Sequence, residues 1–152
     1  YGADEFARYA GGRLPTEAEW EYACRAGSSG PFNTGNCLSN TQANYNWEAP
    51  YNNCVNTVTV GLIKSQVSGL FPANAFGLYD THGNVWEWCN DWYGEYSSAN
   101  QTDPIGPASG TEKVLRGGGY TNYARYCRSA SRFKHLPDAY YPFVGFRIVT
   151  EP

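Results

Sequence analysis

Gly12-Arg13-Leu14-Pro15-Thr16-Glu17-Ala18-Glu19-Trp20-Glu21-Tyr22-Ala23 carries the signals that start a helix. Thr16 precedes Glu19 by three residues, so its hydroxyl can accept from the Glu19 amide while the Glu19 carboxylate reaches back to the Thr16 amide. Ala18, Trp20, Tyr22 and Ala23 supply apolar surface, and Gly27 ends the run. Upstream, residues 4–10 have helical spacing with Phe6, Tyr9 and Ala10 on one side, stopped by Gly11-Gly12. Downstream, residues 28–56 consist of Asn, Gly, Ser and Tyr with hardly any periodicity. That is too long for a simple connector, so an ordered surface loop pinned by a disulfide or an ion is expected.

Further along, residues 58–60 read as a short strand and 71–79 as turn-rich. Residues 84–92 alternate, with Trp86, Trp88 and Trp92 on one side and Val85, Glu87, Cys89 and Asp91 on the other, which predicts a strand. Two more strands are expected at 113–117 and 144–149. Between them, 118–143 is loop-dominated, interrupted by the small-residue segment Cys127-Arg128-Ser129-Ala130, which reads as packed.

A chain of 152 residues, 41% hydrophobic and 16% charged, can build one core. Seventeen glycines, nine prolines, 16% aromatics and no methionine describe a loop-rich protein in which Trp and Tyr pack against turns. A net charge of -3 without a Lys/Arg cluster lacks the electrostatic footprint that phosphate backbones or anionic membranes require, so no nucleic acid and no direct membrane contact are expected. Five cysteines leave at least one unpaired. Cys37 and Cys54 share one polar loop, where a bond and two free thiols are both open. Cys24, Cys89 and Cys127 sit among apolar or aromatic neighbours and read as small buried side chains.

Four blocks in order resemble the formylglycine-generating enzyme, or sulfatase-modifying factor, family: the opening stretch; Asn74-Ala75-Phe76-Gly77-Leu78-Tyr79-Asp80-Thr81-His82-Gly83-Asn84-Val85-Trp86-Glu87-Trp88; Val114-Leu115-Arg116-Gly117-Gly118; and Gly145-Phe146-Arg147. The resemblance implies a C-type-lectin-like α+β fold, loop-rich with short antiparallel strands. It also implies that residues 1–152 are the C-terminal part of a single domain that normally starts well before these helices.

Enzymes of that family oxidise a sulfatase cysteine with copper held by two cysteines just after a Gly-Gly-Ser-Tyr-like turn. Here the equivalent reads Gly117-Gly118-Gly119-Tyr120-Thr121-Asn122-Tyr123-Ala124-Arg125-Tyr126, without a cysteine. Thiolates are what select Cu(I), so no copper is expected and no catalytic residue is assigned. Residues 117–147 are more similar to another branch, the variable proteins of diversity-generating retroelements, in which Asn codons are randomised at their adenines between fixed framework residues. The slots would be Thr121, Asn122, Tyr123, Tyr126, Ser131, Phe133, His135, Leu136, Ala139, Tyr141, Pro142 and Phe143. Adenine replacement in AAC or AAT cannot produce Lys, Glu, Gln, Met or Trp, and none of these occupies a slot. Arg125, Arg128, Arg132 and Arg147 would be framework donors to loop carbonyls, and Lys134 must be framework for the pattern to hold.

Phe133, His135, Leu136, Tyr140, Tyr141 and Phe143 form an aromatic-rich run broken by Pro137 and Pro142, which favours loop over core. Tyr and Phe give large contact area for few rotatable bonds, as in antibody paratopes. The expected ligand-binding residues are therefore Thr121, Tyr123, Tyr126, Ser131, Phe133, His135, Leu136, Ala139, Tyr140, Tyr141 and Phe143. Asp80, Gly83, Val85 and Glu87 match positions that hold structural calcium in the family, with an Arg ion pair as the alternative for Glu87. Asn44 matches one position of a second such site. The reading is a non-enzymatic binding protein for a protein or other macromolecular ligand, displayed at the cell surface or outside the cell. Its rival is a formylglycine-generating oxidoreductase or an accessory domain of a sulfoxide synthase.

Overall fold

The computed structural model describes residues 2–57, 61–138 and 140–150; the strand expected at 58–60 lies outside these. Helix α1 spans Gly2–Tyr9 and α2 spans Glu17–Arg25. Thr16 caps α2 as its spacing predicts: its hydroxyl accepts from the Glu19 amide at 3.1 Å, and Glu19 accepts from the Thr16 amide at 2.8 Å. Arg13 bonds the same carboxylate with both guanidinium nitrogens at 2.7 Å and is the main reason its pKa falls to about 2. The helix ends at Ala26, which adopts φ 45° and donates to the Tyr22 carbonyl.

The apolar side of α1 is not the side that it buries. Phe6 and Tyr9 are exposed, and the buried residue is Ala7. Ala7 accepts from the Gly12 amide at 2.9 Å, next to the bridge in which Arg13 and Val149 exchange backbone hydrogen bonds at 3.0 and 2.8 Å.

Four strands, β1 (Trp86–Trp92), β2 (Lys113–Arg116), β3 (Phe133–His135) and β4 (Val144–Gly145), form one curled mixed sheet in the order β3-β2-β1-β4. Only β1 and β4 run parallel. The strand expected at 144–149 pairs over just two residues, and β3 forms within the stretch 118–143 expected to be loop-dominated. Register gives the sheet two chemically different faces. Glu87 pairs with Arg116 on the face toward α2, where Trp20, Cys24, Cys89 and Val114 form one core cluster. Trp88, Leu115 and Phe133 lie in a row across three strands on the opposite face.

A second core gathers Phe32, Leu38, Ala43, Tyr45, Trp47 and Phe71 with Ala124 and Cys127. The polar segment 28–57 therefore contributes its own apolar anchors. A Cys37–Cys54 disulfide closes it, and Tyr45 donates its hydroxyl to the Leu38 carbonyl.

Candidate ligand-binding face

Phe133 and His135, two residues apart on β3, project to the face opposite α2. Phe133 stacks on Trp86 with ring centroids 5.2 Å apart, and His135 stacks on Tyr141 at 3.5 Å. Edge contact at 6.0 Å joins Phe133 to His135, and Tyr141 meets Phe143 at 5.7 Å. The Trp86 amide donates to the Phe143 carbonyl, closing the band around one indole. Phe133 is 45% exposed, Leu136 49% and Tyr140 89%; His135, Tyr141 and Phe143 are partly buried by one another's rings. Thr121, Tyr123 and Tyr126 are also exposed, on the neighbouring loop. Ala139 lies outside the described residues. Ser131 departs from the expected set: it is buried, and its hydroxyl donates to the Arg125 carbonyl at 2.9 Å, so it holds the loop in place. Beside the band, Trp88, Trp92, Lys113, Tyr140, Tyr141 and Val144 line part of a cavity of about 620 Å³.

The loop carrying these side chains is held by other groups. Gly117 and Gly118 have φ of +94° and +76°, and a Cβ on Gly118 would lie 2.6 Å from the Cys127 sulfur. Asn122 departs from the expectation for a slot, because its side chain accepts from the Gly119 amide and holds the turn; the 3-10 turn Ala124–Tyr126 follows. The buried His82 donates from Nδ1 to the Cys127 carbonyl at 2.7 Å and accepts at Nε2 from the Asn33 amide at 3.0 Å. A carbonyl can only accept and an amide only donate, so the imidazole is neutral; burial lowers its pKa to about 4. Arg128 donates to the Arg125 carbonyl, Arg132 to that of Gly94 and Arg147 to that of Tyr79. Arg125 differs from the expectation for framework arginines, because its guanidinium donates to the Tyr126 hydroxyl.

Sequence reasoning missed the residue at the centre of this frame. Arg116 is fully buried, bonds Glu17 at 2.8 Å, and also contacts Glu21 and the Ser129 carbonyl. Arg132 forks onto the same Glu17 at 2.6 and 2.8 Å. The available signal was phase. Arg116 sits two residues after buried Val114, and Glu17 and Glu21 are one turn apart on α2.

The candidate calcium residues are differently engaged. Asp80 accepts from the Ser68 hydroxyl and the Gly69 amide at 3.0 and 2.8 Å. Glu87 is buried, and both its oxygens accept from Arg147, at 2.5 and 2.6 Å; one also accepts from the Trp20 indole at 2.6 Å. A guanidinium thus occupies the carboxylate that a metal would need, and Asp80, Gly83, Val85 and Glu87 as placed do not fit calcium. Asn44 Oδ1 is buried without a partner, but among the described residues no group of three or more His, Cys, Asp or Glu side chains could hold a metal ion. Cys24, Cys89 and Cys127 are free and buried, and burial pushes all three thiols up, Cys24 to about 11.

A family model described as the sulfatase-modifying factor enzyme 1-like domain matches residues 1–152. The chain is 39% identical over 158 residues to the formylglycine-generating enzyme of Streptomyces coelicolor, covering 98% of this chain and 50% of that protein. Among solved structures, Treponema denticola variable protein 1 superposes with a TM-score of 0.75 at 32% identity, covering 92% of this chain and 48% of that one. PvdO from Pseudomonas aeruginosa gives 0.73 at 31% identity, over 96% of this chain and 56% of its own. The chain spans about half the length of these relatives.

Proposed function

The chain belongs to the sulfatase-modifying factor enzyme 1-like family, and we propose that within it this chain is a non-enzymatic variable protein that presents a diversified surface to a protein or other macromolecular ligand. One observation carries the reading. Among the described residues, no hydrogen bond runs from the side chains of Thr121, Tyr123, Tyr140 or Tyr141, while the loop beneath them is tied by glycines, backbone amides, His82, Asn122, Arg128 and Ser131. Such positions can change without removing what fixes the backbone. Likeness to the Treponema denticola variable protein supports the same reading. A surface-displayed or secreted setting suits the Cys37–Cys54 bond.

The rival is a formylglycine-generating oxidoreductase or an accessory domain of a sulfoxide synthase, favoured by the identity to a formylglycine-generating enzyme. Against it stand a cysteine-free stretch after Gly117-Gly118-Gly119 and three thiols held protonated by burial. Copper-supplemented chain incubated with a sulfatase-derived cysteine peptide should leave the peptide mass unchanged; turnover to the aldehyde would overturn the proposal. In the neighbouring DNA, a near-copy of the segment encoding 117–147 that differs only at adenines, beside a reverse transcriptase gene, is the expected source of diversity.

A further inference from the structure

Arg8, Arg13, Arg25, Arg116, Arg132 and Arg147 each bind a carboxylate, with partners Asp4, Glu19, Glu21, Glu17 and Glu87 among them. Arg125 and Arg128 bind none among the described residues. They lie three residues apart, Arg125 within the 3-10 turn Ala124–Tyr126 and Arg128 just after it. The Arg128 Nε donates to the Arg125 carbonyl at 2.8 Å, which ties the two residues together.

The backbone of Arg125 is fixed, and its guanidinium is held by rings without a carboxylate among the described residues. Its carbonyl accepts from Arg128 and from the buried Ser131 hydroxyl, yet the residue is exposed. Its guanidinium carbon stands 4.8 Å from the Tyr126 ring centre and 5.6 Å from that of Tyr123, and one nitrogen donates to the Tyr126 hydroxyl at 3.1 Å. Arg128 lies 5.9 Å from the Tyr51 ring. A guanidinium oriented by rings is already ordered for a planar two-oxygen acceptor, so less freedom is lost on binding.

We infer that Arg125 and Arg128 form a fixed carboxylate-binding site inside the variable face, and that the partner presents an acidic protein segment to it. This rests on the binding-protein reading above. The two arginines supply charge-assisted hydrogen bonds to an Asp or Glu side chain. Tyr123 and Tyr126, both slots, then select what flanks that carboxylate. Charge complementarity favours a peptide over a polyanion: two adjacent cations on a chain of net charge -3 suit one or two carboxylates, whereas a nucleic-acid backbone needs a longer basic stripe.

The test is titration of the whole chain with hexaglutamate, hexaserine and a single-stranded oligothymidylate, following the arginine Nε–H signals by NMR. Hexaglutamate should shift the Arg125 and Arg128 signals, with an affinity that falls as salt is raised, and hexaserine should not. Arg125→Gln and Arg128→Gln should each weaken the peptide by about tenfold, and Arg125→Lys should restore it only in part. Unchanged peptide affinity in both Gln variants, no shift in the wild type, or equal binding of oligothymidylate would overturn the assignment. Failure here, with melting still insensitive to slot replacement, removes the carboxylate site and leaves the binding scaffold; melting that collapses on slot replacement removes the scaffold itself.

Discussion

Trp86 lies against Phe133 with ring planes 27° apart, so a buried indole of the central strand supports a half-exposed ring of the variable segment. The relationship is unequal. Trp86 is 4% exposed and Phe133 45%, so removing the indole leaves a void that removing the phenyl does not. Trp86→Ala should cost roughly 3–5 kcal/mol and Phe133→Ala about 1 kcal/mol, the latter mainly the lost stacking. Urea denaturation of the two variants measures both.

The buried Arg116–Glu17 pair should behave as a single unit with Arg132. Glu17→Ala leaves Arg132 without a carboxylate and the buried Arg116 with Glu21 alone, a partly uncompensated burial of charge that costs about 3 kcal/mol. Arg116→Met, which removes the deepest charge and keeps much of its volume, should rescue part of that loss when added to Glu17→Ala. A double-mutant cycle by urea denaturation reads the coupling directly.

Acid should loosen the fold through His82. Unfolded, the imidazole takes up a proton near pH 6.5, whereas folded it does so only at about 4, so the unfolded chain binds more protons between these values. Its contribution is therefore complete above pH 6.5 and is lost as pH falls through that window toward 4, by about 3 kcal/mol in all. Glu19, held at about 2 by Arg13, loses its share only below its ordinary value of 4.5. Urea midpoints taken from pH 7 to 4 should fall more steeply for wild type than for His82→Gln.

Because Arg147 neutralises Glu87 internally, melting curves in calcium and in chelator should coincide. A ligand that binds only the folded state must raise the melting temperature, so a calcium-dependent rise would mean that Arg147 yields its place to the metal.

What could be read from the sequence was local. The capping box at Thr16 and Glu19 and the alternation of 84–92 depend on neighbours a few residues away; the box forms as expected, and the strand forms over Trp86–Trp92. Arg116 escaped notice because its partners lie 99 and 95 residues away, and a charge on an inward position has no meaning until those partners are placed. Residues 133–135 carry no strand period in the sequence, because three residues at least partly exposed show no alternation. Their pairing is imposed by β2. Pattern alone groups Ser131 with the surface slots, whereas burial and its bond to Arg125 place it with the frame.

The central claim is that a fixed frame carries a replaceable surface, and thermal melting of one multiple variant tests it most directly. Thr121→Asn, Tyr123→Asn, Tyr126→Asn, Leu136→Asn and Tyr140→Asn are combined in one chain, beside Ser131→Asn alone as a frame control. The combined variant should melt cooperatively, within about 0.5 kcal/mol of wild type, because exposed side chains away from the packing contribute little. Ser131→Asn, which forces a larger side chain into a buried site, should be distinctly less stable. If the combined variant loses cooperative melting, or falls further than the single frame substitution, the slots are part of the fold and the account is wrong.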